Sequence, residues 1–187
     1  VRVAVGRVLL AEPVHKEKHA CFPAALVVGG GVAGMTAALA IADSGYDVHL
    51  IERSEILGGH LRNLYYVAEG YNPQRLLRDL VNRVRGHQRI FTHTRTIITG
   101  QSGHVGRFTT GLLTYHTDGS ADALNVDHGV TIVATGAQES KKHPLLGTPG
   151  VIVQSELEEK IIHHPEEIAA LKDVVMMQCV RPEGAAD

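Results

Sequence analysis

Residues 25–52 read in order as an apolar strand, a glycine turn, an alanine-rich helix and a second apolar strand that ends on an acid. That order restricts the chain to a parallel βαβ unit of the kind that holds a dinucleotide. Gly29, Gly31 and Gly34 give the G-x-G-x-x-G spacing. The first glycine permits the tight turn, the second lets a pyrophosphate approach the backbone, and the third lets the helix pack closely on the sheet. The free N–H groups of the helix that starts near Val32, those of Val32 and Ala33 among them, are expected to face the phosphates with the positive end of the helix dipole behind them. Glu52 falls at the end of the second strand, where a carboxylate accepts hydrogen bonds from an adenosine ribose.

Two later features narrow the choice of dinucleotide. After Glu52 the chain reads Arg-Ser-Glu-Ile-Leu-Gly-Gly-His-Leu-Arg, and the pair Gly58-Gly59 lets a second stretch of backbone come near a diphosphate or ribityl chain, although by itself it is equally an ordinary turn. The run Gly-Val-Thr-Ile-Val-Ala-Thr-Gly over residues 129–136 is a buried strand ending in Ala134-Thr135-Gly136.

With these four features in order, the sequence resembles the two-dinucleotide-binding-domain flavoproteins, the glutathione reductase and thioredoxin reductase superfamily. Within it, residues 26–62, Glu69-Gly70-Tyr71-Asn72-Pro73-Gln74, Val105-Gly106-Arg107-Phe108 and the stretch at 173–180 are similar to the FAD-binding A subunit of heterodisulfide reductase and its relatives, as is the opening at residues 1–13. The resemblance implies an α/β, Rossmann-like FAD/NAD(P)-binding domain: a parallel sheet with a small antiparallel β crossover. It implies FAD as the cofactor, with Gly58, Gly59, Ala134, Thr135 and Gly136 lining its path beyond the phosphates. Arg53 and Arg62 are candidates to neutralise phosphate charge, and Thr96 is a candidate for backbone contact with adenine. It further implies an electron-transferring oxidoreductase that works beside iron–sulfur and disulfide-reducing partner subunits or the remainder of a parent chain.

Composition sets limits. Aromatic residues make up 4% of the 187 residues, with no tryptophan, so the core must be aliphatic and there are few platforms on which nucleic-acid bases could stack. A formal charge of −2 is close to balance, which makes neither a nucleic acid nor an anionic membrane an expected partner. No run approaches the ~18 apolar residues of a transmembrane helix, and a cytoplasmic address is the default expectation. The two cysteines, Cys21 and Cys179, form no C-x-x-C. Where disulfide reductases carry their redox pair, this chain has His60, Leu61, Arg62, Asn63 and Leu64. No catalytic acid or base and no metal site is assigned; the adjacent His163-His164 lacks further placeable ligands.

The expected organisation is a helix and linker over residues 1–24, the FAD-binding domain over 25–178 and a tail over 179–187. Within the domain, a helix over 73–85, capped by Asn72, is expected to bury Leu76, Leu77, Leu80, Val81 and Val84 and leave its arginines solvated. Parallel strands are expected at 89–93, 130–134 and 174–177, β-rich runs punctuated by glycines over 95–128, and a helix at 155–163. The last strand leads to no second glycine motif, so the sequence reads as a piece of a larger flavoprotein or a truncated paralogue. A Rossmann-like interaction module without a flavin site is the alternative. An NAD-linked dehydrogenase fits the glycine pair and the Ala-Thr-Gly end less well, and Glu52 opposes a ribose 2′-phosphate.

Overall fold

The computed structural model describes Arg7, residues 20–139 and residues 145–177. The opening helix and linker, apart from Arg7 and residues 20–24, and the tail lie outside the described residues.

Strand β1 (Ala24–Val28) leads through the glycine turn into helix α1 (Val32–Asp43), which stops at Gly45 with a φ of 93° and returns as β2 (Asp47–Ile51). Helix α2 (Pro73–Gly86) begins where Asn72 accepts a 2.9 Å hydrogen bond from the Arg75 amide, with proline in the first turn, and leads to β3 (Ile90–His93). An antiparallel excursion follows: β4 (Thr96–His104), β5 (Arg107–Tyr115) and β6 (Ala121–His128). Strand β7 (Val130–Val133) then rejoins the first sheet, and helices α3 (Gln154–His163) and α4 (Pro165–Ala169) come after it.

The parallel sheet has the order β3-β2-β1-β7, and the second sheet the order β4-β5-β6. Ala25 pairs with Val48 on one side and Val130 on the other, so β1 is central and its far end lies between the ends of β2 and β7. Alternation along the strands sends residues to two faces. Ala25, Val27, Val48 and Leu50 meet Met35, Ala38 and Leu39 of α1 and Leu77, Leu80 and Val84 of α2. On the other face, Leu26 and Ile51 pack against Leu112 and Val126 of the antiparallel sheet. The helices and the crossover thus clamp the parallel sheet between two aliphatic layers, and this fixes where its strand ends project.

The structure departs from the sequence expectation in four places. Strand β7, expected to be buried, is the edge of the parallel sheet, with Val130 48% and Val133 73% exposed. Leu76 is exposed: the buried stripe of α2 is Leu77, Leu80 and Val84, and Leu76 falls outside the arc that faces the sheet. Gly100 and Gly103 do not end strands; both lie inside β4, Gly100 at a register shift against β5. Residues 174–177 form no strand. Among the described residues no strand ladder includes this stretch, and its apolar side chains are exposed, Val175 by 85%.

Candidate functional site

The site grows from the ends of three adjacent strands. At the end of β1, Gly29 adopts a φ of 112°, and a side chain there would overlap the Ala134 carbonyl, so the first glycine is what lets the turn sit against the Ala134-Thr135-Gly136 segment. Gly34 has its Cα against the Gly29 carbonyl oxygen, where a Cβ would also overlap, and this holds α1 close to the turn. Gly31 differs: a Cβ added to it would meet nothing within 4 Å. The open space lies at the N-cap of α1, which no side chain caps. The first helical amides, those of Val32 and Ala33, lack intrahelical partners by geometry, so this helix start presents N–H donors and the positive end of a dipole to open space. A cradle with room for a phosphate is therefore present, and the chemistry of the donor set fits a pyrophosphate.

At the end of β2, Glu52 is buried, 8% exposed, with both carboxylate oxygens engaged. Oε1 accepts from the Ser54 amide at 2.8 Å and the Ser54 hydroxyl at 2.6 Å, and Oε2 accepts from the Gly30 amide at 2.7 Å. A carboxylate oxygen has two lone-pair directions, which leaves one acceptor position on Oε2 for a ligand hydroxyl. Burial pushes the Glu52 pKa up, but the Ser54 hydroxyl and amide, the Gly30 amide and the charge of Arg53 outweigh it and hold the carboxyl below the usual glutamate range.

The glycine pair closes over the turn. The Gly58 amide donates to the Gly30 carbonyl at 2.8 Å, and a Cβ on Gly59 would lie 3.2 Å from the Gly31 Cα. His60, in the 3₁₀ turn Gly59–Asn63, donates from Nε2 to the Ala137 carbonyl at 2.7 Å, tying the glycine pair to the chain just beyond Gly136. Gly29, Gly31, Val32, Ala33, Gly34, Glu52, Gly58, Gly59, Ala134, Thr135 and Gly136 thus converge on one row of strand ends. Arg53 and Arg62 are exposed at its margin, and Arg62 donates to the Leu57 carbonyl at 3.5 Å. Thr96 is fully buried behind Glu52, its amide donating to the Glu52 carbonyl at 3.0 Å and its hydroxyl bonded to Thr94 and Thr114.

Three residues of the row are not site candidates on the sequence alone: Gly30, Ser54 and His60. A Cβ on Gly30 would lie 2.5 Å from a Leu57 methyl and 2.9 Å from Glu52 Oε2, so this position also excludes a side chain. The available signal is a third consecutive glycine at a position the motif leaves free, and a serine two residues beyond the acid, the spacing at which a hydroxyl folds back on a carboxylate. Cys21, the one cysteine among the described residues, lies against Gly106 in the turn between β4 and β5.

A Rossmann-like parallel sheet with an antiparallel crossover and a glycine-lined row at its strand ends defines the class as a dinucleotide-binding α/β domain. Residues 25–141 match the family model described as FAD dependent oxidoreductase, and the chain belongs to that family, whose cofactor is FAD. Its relatives include the A subunit of the ferredoxin:CoB-CoM heterodisulfide reductase of Methanosarcina acetivorans, 34% identical across 58% of this chain and 14% of that protein. The second iron-sulfur A subunit of the CoB–CoM heterodisulfide reductase of Methanopyrus kandleri is also 34% identical, across 58% of this chain and 17% of its own length. The chain therefore spans about a sixth of these relatives. Among solved structures, the L-proline dehydrogenase of P. horikoshii superposes with a TM-score of 0.54 at 21% identity, covering 70% of this chain and 26% of that one, a likeness of fold. No helix among the described residues is long and apolar enough to cross a membrane.

Proposed function

We propose that the chain is the FAD-binding portion of an electron-transferring oxidoreductase of the kind represented by the A subunit of heterodisulfide reductase. The single observation that supports this most is the row of strand ends, in which Glu52 (β2), the Gly29–Gly31 turn (β1) and Ala134-Thr135-Gly136 (β7) follow one another with the uncapped start of α1 between them. The remaining acceptor position on Glu52 Oε2 binds a ribose hydroxyl, the amides of Val32 and Ala33 and the open face of Gly31 receive the pyrophosphate, and Gly59 approaches it from above. Arg53 and Arg62 offset phosphate charge from the margin. Bound FAD supplies the electron-carrying chemistry, while the protein holds and orients it.

Iron–sulfur and disulfide-reducing partner subunits, or the remainder of a longer parent chain, complete the electron path. The positions after Gly59 are His60, Leu61 and Arg62 rather than a dithiol, and Cys21 precedes β1 and lies against the β4–β5 turn at Gly106, so thiol chemistry has to come from outside the described residues. The test is the absorbance spectrum of the purified chain after incubation with FAD and removal of free cofactor. Retention of a band near ~450 nm that is lost in Gly31→Val supports the reading. A folded, colourless protein that also fails to quench FAD fluorescence in titration overturns it in favour of an interaction module.

A further inference from the structure

The segment that closes over the glycine turn, residues 58–64, starts with Gly58 at φ 125° and Gly59 at φ 50°, two residues with no side chain to fix its direction. Its course is therefore set from further along. Helix α2 touches both ends of it. A Cβ on Gly58 would lie 2.7 Å from a Leu77 methyl, and Gln74, three residues before Leu77 and so on the same side of the helix, reaches the far end.

The Gln74 side-chain amide donates from Nε2 to the Leu64 carbonyl at 2.8 Å, the Leu61 carbonyl at 3.0 Å and the Arg62 carbonyl at 3.3 Å. Three carbonyl oxygens around one atom admit only a donor there, so the amide nitrogen faces the turn and shares its two hydrogens among three acceptors. A helical turn ends in carbonyls that find no N–H within it, and here the cap comes from another element, 13 residues beyond Leu61. Gln74 has a firm base. Asn72 and Pro73 fix the start of α2, and Leu77 in the next turn is part of the core.

The other holds on the segment do not duplicate this one. The Gly58 amide and His60 join it to neighbouring loops at Gly30 and Ala137, and the buried Leu61 side chain gives it an apolar foot. Apolar burial is non-directional, so Leu61 sets the depth of the turn and leaves its orientation to directed bonds. Among these, the three to Gln74 are the ones made to a core-packed helix.

We infer that Gln74 is the positioning residue that sets how closely Gly59 approaches Gly31, and through it the fit of the segment to a diphosphate. This rests on the FAD reading above. Gln74 acts through the turn it holds and makes no cofactor contact of its own. What the position requires is an N–H donor: methionine matches the length without one, glutamate sets acceptors against acceptors, and lysine, one atom longer, brings three N–H donors.

The experiment titrates the 187-residue chain, Gln74→Met, Gln74→Glu and Gln74→Lys with FAD and, separately, with ADP, which shares the diphosphate. Circular dichroism verifies each fold. Expected is a loss of FAD affinity of about three- to tenfold in Gln74→Met, a larger one in Gln74→Glu, and a value within about twofold of wild type in Gln74→Lys. ADP affinity falls by the same factors, and amide hydrogen exchange over residues 58–64 accelerates in Gln74→Met but not in Gln74→Lys. Wild-type FAD affinity in folded Gln74→Met overturns the inference and leaves the FAD reading standing. A loss confined to FAD overturns it too, since the effect then lies beyond the diphosphate. Equal losses in Gln74→Met and Gln74→Lys point to packing instead of donation, and a Gln74→Met chain that does not fold points to a residue kept for the fold; either overturns it. Wild-type protein that binds neither ligand removes the FAD reading and this inference together.

Discussion

The Gly30 amide donates to Glu52 Oε2 across 2.7 Å, so the acid at the end of β2 and the middle glycine of the β1 turn form one unit rather than two separate ligand contacts. The carboxylate that would receive a ribose also sets the shape of the loop that would receive the phosphates. Loss of either partner is therefore felt at both.

Glu52→Ala leaves the Gly30 amide without its acceptor in a buried setting and the Ser54 amide without its acceptor in a part-buried one. The expected cost is about 1–3 kcal/mol of stability, read from urea unfolding, together with loss of FAD binding. The pH dependence has a definite sign. The folded pKa is below the ordinary 4.5, so the contribution of Glu52 is fully present above that value and is lost as pH falls through the folded value. Acid unfolding of Glu52→Gln should lose this component; an unchanged acid profile would show that the carboxylate is not held as described.

Gly34 and Gly31 should separate folding from binding. Gly34→Ala drives a methyl group into the Gly29 carbonyl and is expected to cost about 1–3 kcal/mol or more, visible as a lowered Tm. Gly31→Ala enters open space at an extended backbone position, φ −77° and ψ −173°, and should change stability by less than about 1 kcal/mol while abolishing retention of FAD. Equal stability losses in the two variants would contradict this division.

The bond from His60 to Ala137 is exposed and joins two loops, so its removal should not unfold the protein. His60→Ala is expected to weaken FAD binding roughly three- to tenfold, the range of a net contribution of about 0.5–1.5 kcal/mol, with thermal stability little changed. A fluorescence-quenching titration reads this directly. An affinity equal to wild type would mean that the loops keep their spacing without the tie.

His128 gives the fold a second pH dependence, away from the site. It is fully buried; its Nδ1–H donates to the Val130 carbonyl at 3.1 Å, and Nε2 accepts from the Thr110 hydroxyl at 2.8 Å. Burial pushes its pKa down, and the Val130 carbonyl and Asp127 charge only partly oppose that. The neutral ring is native, so its stability contribution is present above the ordinary value of 6.5 and falls away as pH drops toward and through the folded value. Urea midpoints measured between pH 7 and pH 5 should decline for the wild type and decline less for His128→Asn, with the His49 and His93 pair, whose pKa values burial also lowers, accounting for part of the remaining slope.

The first βαβ unit is legible in the sequence because its signals are local: glycine spacing, an apolar strand on each side and a helix stop at Gly45. Helix α2 is legible from Asn72 and Pro73, and the crossover from its turn glycines. What the sequence hides depends on distant partners. Leu76 carries the same apolar signal as Leu77, and only the direction of the sheet decides which is covered. Residues 174–177 have strand composition, yet composition supplies no neighbour to pair with. Gly30 matters because the carboxylate of Glu52, 22 residues away, accepts from its backbone, and no periodicity records that; Ser54, two residues beyond the acid, leaves only the local spacing as a signal.

Strand β7 reaches its place beside β1 only after the chain has gone out through the whole crossover and returned, Val130 coming to rest opposite Ala25. Among the ladders of the parallel sheet this one closes the longest loop, and loop-closure entropy makes it the slowest to gain from its contacts. The strand-end row lacks its third member until that ladder forms. On this entropy argument the cofactor cradle is expected to be among the last parts of the molecule to be finished, after the βαβ unit that announces it in the sequence.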